Sequence, residues 1–309
     1  ISVVQNETLP GATIRSSRIS NNFIFGIDAK FGGASLITDN TVTDTGTITY
    51  PGWSHAAIEG GTGANILNNT VDGAAYHGIR FSGTGGSTVK NNSVTRYCMR
   101  LADCGAIYTW NGTKLTGSTQ LATVESNQVH GGKPNVEGAV GAGIDVVAGI
   151  FLDDFSHGVT VRYNVVHDLP FGLAVRNGSN NVFESNRVWL PTRAAITATN
   201  DQTDRDYLVG NTFRNNQFVP VKSAVNQFPA LPAFSESYPI WFFDNFGAAS
   251  SISSGSNTFT GNQVVRLDGS TDGVHAWLRS NTEDTRMSSA TWANFNRLDA
   301  PTATPMTFA

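Results

Sequence analysis

Two stretches in the middle of the chain gather acidic and aromatic side chains at spacings that suit sugar chemistry. One reads Ala102-Asp103-Cys104-Gly105-Ala106-Ile107-Tyr108-Thr109-Trp110, the other Ala148-Gly149-Ile150-Phe151-Leu152-Asp153-Asp154-Phe155-Ser156-His157-Gly158. Glu59, Arg80 and Arg176 stand at corresponding places in neighbouring segments. Carboxylates accept hydroxyl protons and guanidinium groups donate in a fixed fork. Aromatic rings beside such groups suit a sugar chain, with its apolar ring faces and many hydroxyls, lying in an open groove.

A repeat must position these residues. Aligning one central apolar residue superimposes Ser54-His55-Ala56-Ala57-Ile58-Glu59, Ala75-Tyr76-His77-Gly78-Ile79-Arg80, Asp103-Cys104-Gly105-Ala106-Ile107-Tyr108, Val146-Val147-Ala148-Gly149-Ile150-Phe151, Leu169-Pro170-Phe171-Gly172-Leu173-Ala174 and Thr192-Arg193-Ala194-Ala195-Ile196-Thr197. Six strands stacked in register follow. Strand alternation sends Ile58, Ile79, Ile107, Ile150, Leu173 and Ile196 into the core. It turns Ala57, Gly78, Ala106, Gly149, Gly172 and Ala195 outward as a shallow trough. Glu59, Arg80, Tyr108 and Phe151 flank that trough, with Trp110, Asp153 and Arg176 two steps further on. The glycines have a purely structural reading too, since glycine in strands also marks close backbone approach.

A second pattern, apolar-x-x-Asn-x-apolar, recurs around Asn22, Asn40, Asn69, Asn92, Asn127, Asn164, Asn186, Asn216 and Asn262. The shortest gaps, Asn22 to Asn40 and Asn164 to Asn186, are 18 and 22 residues, the size of one coil of a solenoid. Asparagine tolerates a left-handed bend, and its amide can bond to the asparagine stacked above it. Parallel strands about 4.8 Å apart would align these residues as a ladder. The expected fold is all-β, a right-handed parallel β-helix, the hand following from the bias of parallel crossovers.

The two acidic stretches resemble the paired Asp-x-Gly-Ala-Ile-Tyr and Gly-Ile-Tyr-Leu-Asp-Asp motifs of right-handed parallel β-helix glycoside hydrolases. The nearest likeness is to glycoside hydrolase family 141, with family 120 more distant; it covers chiefly residues 54 to 200. The sequence departs from those motifs at Cys104 and Phe151. The resemblance implies a catalytic pair drawn from Asp103 and from Asp153 or Asp154. One carboxyl would protonate the leaving oxygen, and the other would attack the sugar carbon or activate water. Glu59, Arg80, Tyr108, Trp110, His157 and Arg176 are then expected to bind substrate, with Tyr108 or Trp110 as a sugar platform.

The spacing poses a condition. Asp103 precedes its core isoleucine by four residues and Asp153 follows its own by three, so extended chain would hold them too far apart. The pair requires a sharp bend near Cys104, or a loop acid, Glu137 or Asp145, in place of one member. Structural readings also exist: an Arg176 ion pair for Asp153, a turn for Asp154, a loop cap for Asp103. His77 aligns with inward positions; His157 sits at a turn from which it could reach the groove rim.

Composition narrows the rest. With 20 Lys+Arg against 24 Asp+Glu, a net charge of -4 leaves no basic footprint for nucleic acid. No run approaches the roughly 20 apolar residues of a membrane span. Cys98 and Cys104 are spaced for a small disulfide ring or remain two buried thiols; without a histidine cluster they make no metal site, and no cofactor is expected. The helix is expected over residues 1–270, with a cap and tail over 271–309 in which Trp277 and Trp292 cover the last coil. Tyr238-Pro239-Ile240-Trp241-Phe242-Phe243 reads as a buried strand or the groove's far wall. The first repeat begins by Ile19, so an upstream segment or a partner chain is expected to cap the N-terminal coil. These features together predict a secreted or cell-surface glycosidase acting on a carbohydrate. A polysaccharide lyase or uronate epimerase, and a non-catalytic glycan-binding protein, are the alternatives.

Overall fold

A computed structural model describes residues 1–2, 11–31, 33–46, 55–83, 85–111, 122–132, 146–201, 207–220, 237–244, 247, 256–266, 274–282, 284–288 and 291–292. Its strands form three sheets of nine, nine and ten strands, and each turn of the chain adds one strand to each sheet. All pairings are parallel except the last, Val274–Arg279 with Asp284–Ser288. The architecture is a parallel β-helix.

Each coil follows from its sequence. A three-residue strand such as Thr160–Arg162 buries Val161, Tyr163 turns left-handed (φ 58°), Asn164 follows, and Val165–His167 buries Val166. The left-handed residue is the one before the ladder asparagine: Asp39, Asn68, Asn91, Ser126, Tyr163, Ser185 and Asn215 all have φ between 54° and 58°. The asparagine itself bridges coils. Asn92 Nδ2 donates to the Ile66 carbonyl, the Lys90 carbonyl and Asn127 Oδ1 at 2.9, 3.1 and 3.0 Å, and Asn92 Oδ1 accepts from Asn69 Nδ2 at 3.0 Å.

The ladder runs from Asn40 through Asn69, Asn92, Asn127, Asn164, Asn186 and Asn216 to Asn262. Asn22 is out of phase: Ile19 pairs with Val42, so Ser17 occupies the first coil's ladder position and donates its N–H to Asn40 Oδ1 at 3.0 Å. A second, shorter ladder joins Asn181, Asn211 and Asn257 at another corner.

The third sheet holds the six aligned segments in the expected register, Ile58↔Ile79↔Ile107↔Ile150↔Leu173↔Ile196, and extends it to Ile27 and Ile240. The small residues before them do not form an outer trough. Ala57, Ala106 and Ala195 are buried in the core. A Cβ on Gly78, Gly149 or Gly172 would lie 2.4, 2.4 or 2.3 Å from Val94, Val166 or Val188. Two successive residues therefore point inward. The strand bends between them, and glycine or alanine leaves room for the valines of the second sheet. The outer face is made instead by Ala148, Phe171, Ala194 and Tyr238 together with Tyr108, Phe151 and Ala174.

The third sheet continues past residue 270 with Val274–Arg279. Trp292 is fully buried and meets Phe259 of the last coil edge-on at 5.5 Å. Trp277 lies on the outer face instead, stacked on Trp241 at 5.3 Å. The tail beyond Trp292, and the insertion carrying Glu137 and Asp145, fall outside the described residues.

Candidate active site

On the outer face of the third sheet a cleft of about 470 Å³ opens between neighbouring coils. Its walls carry Arg80, Asp103, Tyr108, Trp110, Asp153, Asp154 and Arg176, joined by Lys30 and Tyr76. Lys30 could have been found: it follows Ile27 by three residues, as Trp110, Asp153 and Arg176 follow Ile107, Ile150 and Leu173. Tyr76 could have been found from the alignment, in the column of Cys104 one coil earlier.

The bend required near Cys104 is present. Asp103 is left-handed (φ 59°), a conformation aspartate tolerates better than most residues. Cys98 and Cys104 are disulfide-bonded, with Cα atoms 6.1 Å apart. The intervening loop folds back on the previous coil through Arg100 N–H to the Ala75 carbonyl at 2.9 Å. Tyr76 Oη donates to the Asp103 carbonyl at 2.6 Å. Asp103 thus enters the cleft from a turn rather than along an extended strand, and it shares the cleft with Asp153.

Asp153 is 5 % exposed. Its Oδ2 accepts the Tyr108 hydroxyl at 2.8 Å, while Oδ1 is buried without a hydrogen-bond partner among the described residues. Arg176 Nη1 lies 3.7 Å from that oxygen, but the guanidinium is committed to Asp201, at 2.7 and 3.1 Å. Burial, and next the charge of Asp103, push the Asp153 carboxyl up to about 7, against the opposing pull of Tyr108 and Arg176. Burial also raises Asp103, opposed by Arg176 and assisted by Asp154. Asp154 accepts Asn177 Nδ2 at 2.6 Å and sits 3.8 Å from Arg176 Nε. Asp153 is therefore no surface ion pair: a buried carboxyl with its pKa raised to about 7 shares a cleft with a second carboxyl.

Other expected roles change. Tyr108 is 7 % exposed, stacked on His77 at 3.8 Å and edge-on to Phe151. Burial and neighbouring Asp153 push its phenol far up, so it holds Asp153 as a permanent donor and offers no open ring to a sugar. Trp110, 45 % exposed, lines the cleft with an open side chain. His77 is fully buried between the rings of Tyr76 and Tyr108; Nδ1 accepts Gly105 N–H at 3.3 Å, and burial holds its pKa well below the usual range. Glu59 lies buried behind the wall and is held to the cleft by Arg80, at 3.1 Å. His157 is not in the cleft wall; its Nδ1 lies 2.8 Å from Ser179 Oγ at a turn between coils.

Three parallel sheets, coil-to-coil asparagine ladders and a cleft on one outer face are the marks of a stacked β-solenoid. The family described as right handed beta helix region matches residues 1–151 and 110–286. The chain belongs to the right-handed β-helix family. Such β-helix regions are common to many carbohydrate-active enzymes and to other proteins. No curated protein and no solved structure gives a significant match to this β-helix chain. Among its described residues, no group of three His, Cys, Asp or Glu side chains is placed to hold a metal ion. No helix among them is long and apolar enough to cross a membrane.

Proposed function

We propose that this β-helix protein is a secreted or cell-surface glycoside hydrolase that cuts a polysaccharide or oligosaccharide with two carboxyl groups. The observation that carries the proposal is Asp153, a buried carboxyl with one unpartnered oxygen, raised to about 7 and sharing its cleft with Asp103. The resemblance of both motifs to β-helix glycoside hydrolases supports the same reading.

Because Tyr108 occupies Oδ2, the acid proton of Asp153 belongs on Oδ1. In the proposed reaction that proton passes to the glycosidic oxygen as the bond from the anomeric carbon to oxygen breaks. Asp103 then attacks the anomeric carbon directly, or removes a proton from a water that attacks it. Carboxyls about 5 Å apart give retention, and about 6.5–9.5 Å apart give inversion. Trp110 supplies an apolar face for a neighbouring sugar.

The test is release of reducing ends from a polysaccharide panel. Asp103→Asn and Asp153→Asn are each expected to lower turnover by about 10²–10⁴, the range of general acid–base catalysis, with folding intact. Full activity in both variants would sink the assignment.

The cations Lys30 and Arg80 along the cleft favour a second reading, lyase or uronate epimerase chemistry, in which they would neutralise a substrate carboxylate. Absorbance from an unsaturated uronate would select the lyase. Saturable glycan binding with no new reducing ends would mark a non-catalytic binder.

A further inference from the structure

We propose that the end of the cleft nearer the N terminus binds an anionic group carried on the sugar chain, a carboxylate or a sulfate ester, through Lys30 and Arg80. The proposal rests on the reading of the adjacent carboxyls as glycan-processing groups.

The cleft's two ends differ. At the far end Arg176 is spent on Asp201 at 2.7 Å, with Asp154 and Asp153 within 4 Å. At the near end Lys30 is exposed and makes no ion pair with a carboxylate among the described residues; its ammonium lies over the Phe31 ring, 5.5 Å from the centroid. Arg80 gives one nitrogen to Glu59, and its other donors have no acceptor among the described residues while the side chain lines the cleft.

Glu59 explains how Arg80 is held. It is 3 % exposed, its Oε2 has no hydrogen-bond partner among the described residues, and burial raises its pKa despite Arg80 and Lys30 nearby. Burying an acid beneath an arginine is costly, and it orders a flexible guanidinium toward the cleft. On the one coil between those of Lys30 and Arg80, the position that matches Lys30 is Gly61, three residues after Ile58, which adds no side chain there. The hydroxyls of a neutral sugar accept from an ammonium and a guanidinium in place of water but leave their charge uncompensated. An anionic substituent adds charge-assisted bonds.

Binding is best measured by calorimetry on the Asp153→Asn chain, where turnover does not consume the ligand. The probes are an oligogalacturonate, the same oligosaccharide after reduction of its carboxyls, and an oligomer of dextran sulfate. A charged probe should bind at least about tenfold tighter than the carboxyl-reduced one, the scale of one charge-assisted hydrogen bond, and weaken with salt. Which charged probe binds tells carboxylate from sulfate. Lys30→Glu should erase the preference. So should the pair Glu59→Gln with Arg80→Gln, which avoids stranding a buried charge; circular dichroism checks the fold of each. Equal binding of charged and reduced probes, no binding of either charged probe, or an unchanged preference in Lys30→Glu would overturn the proposal. Charge-selective binding without any hydrolysis by the unmodified chain would sink the hydrolase reading alone.

Discussion

The asparagine ladder and the acidic cleft are both built from buried polar side chains, yet their hydrogen bonding is opposite. In the ladder, Asn164 Nδ2 donates to Val124, Arg162 and Asn186, and its Oδ1 accepts the N–H and Nδ2 of Asn127, all between 2.9 and 3.0 Å. In and behind the cleft wall, Asp153 Oδ1, His77 Nε2 and Glu59 Oε2 are buried with no partner among the described residues. A satisfied buried amide supports the fold, whereas an unsatisfied buried carboxyl costs stability and gains reactivity. The contrast distinguishes the asparagine ladder from the cleft wall, while buried atoms without a partner among the described residues also occur elsewhere, Tyr97 Oη and Gln217 Oε1 among them.

Breaking the ladder should have the largest effect on the fold. Asn164→Ala orphans backbone and side-chain partners on both neighbouring coils, for an expected loss of about 3–5 kcal/mol at roughly 1 kcal/mol or more per bond. Urea unfolding would measure it. A loss near zero would mean that apolar stacking alone holds the coils.

Asp153→Asn should do the reverse. A carboxyl raised from 3.8 to about 7 stabilises the fold in its neutral form below pH 4, and that contribution is lost as pH rises through about 7. The variant should therefore gain on the unmodified chain from pH 4 to 7 and hold its advantage above, by roughly 4 kcal/mol at most. Melting temperatures at pH 4, 6 and 8 would test this, and a pH-independent difference would contradict the raised pKa.

The smallest effect should come from Tyr108→Phe. Tyr108 lowers the Asp153 pKa by its hydrogen bond, so its removal should move the high-pH limb of activity upward by less than about one unit, the worth of one such bond. A downward shift would show that Tyr108 does not hold Asp153.

Sequence periodicity by itself determined the stacked strands, their register and most of the asparagine ladder, because each coil repeats the same local rule: an apolar residue inward, a left-handed turn, an amide bridge. It also brought Trp110, Asp153 and Arg176 to one face, since residues at equal offset from a core apolar residue stack in a row. Tertiary structure alone decided the rest. Strict alternation turned Gly78 and Gly149 outward, but the chain bends there against valines of another sheet. The meeting of Asp103 and Asp153 depends on a left-handed turn and a disulfide outside the repeat. Tyr108 could be a platform or a donor by type, and only the ring of His77 beneath it and the oxygen of Asp153 beside it made it a donor. Local pattern specifies what repeats; burial, charge and partners across coils are long-range quantities that no single repeat contains.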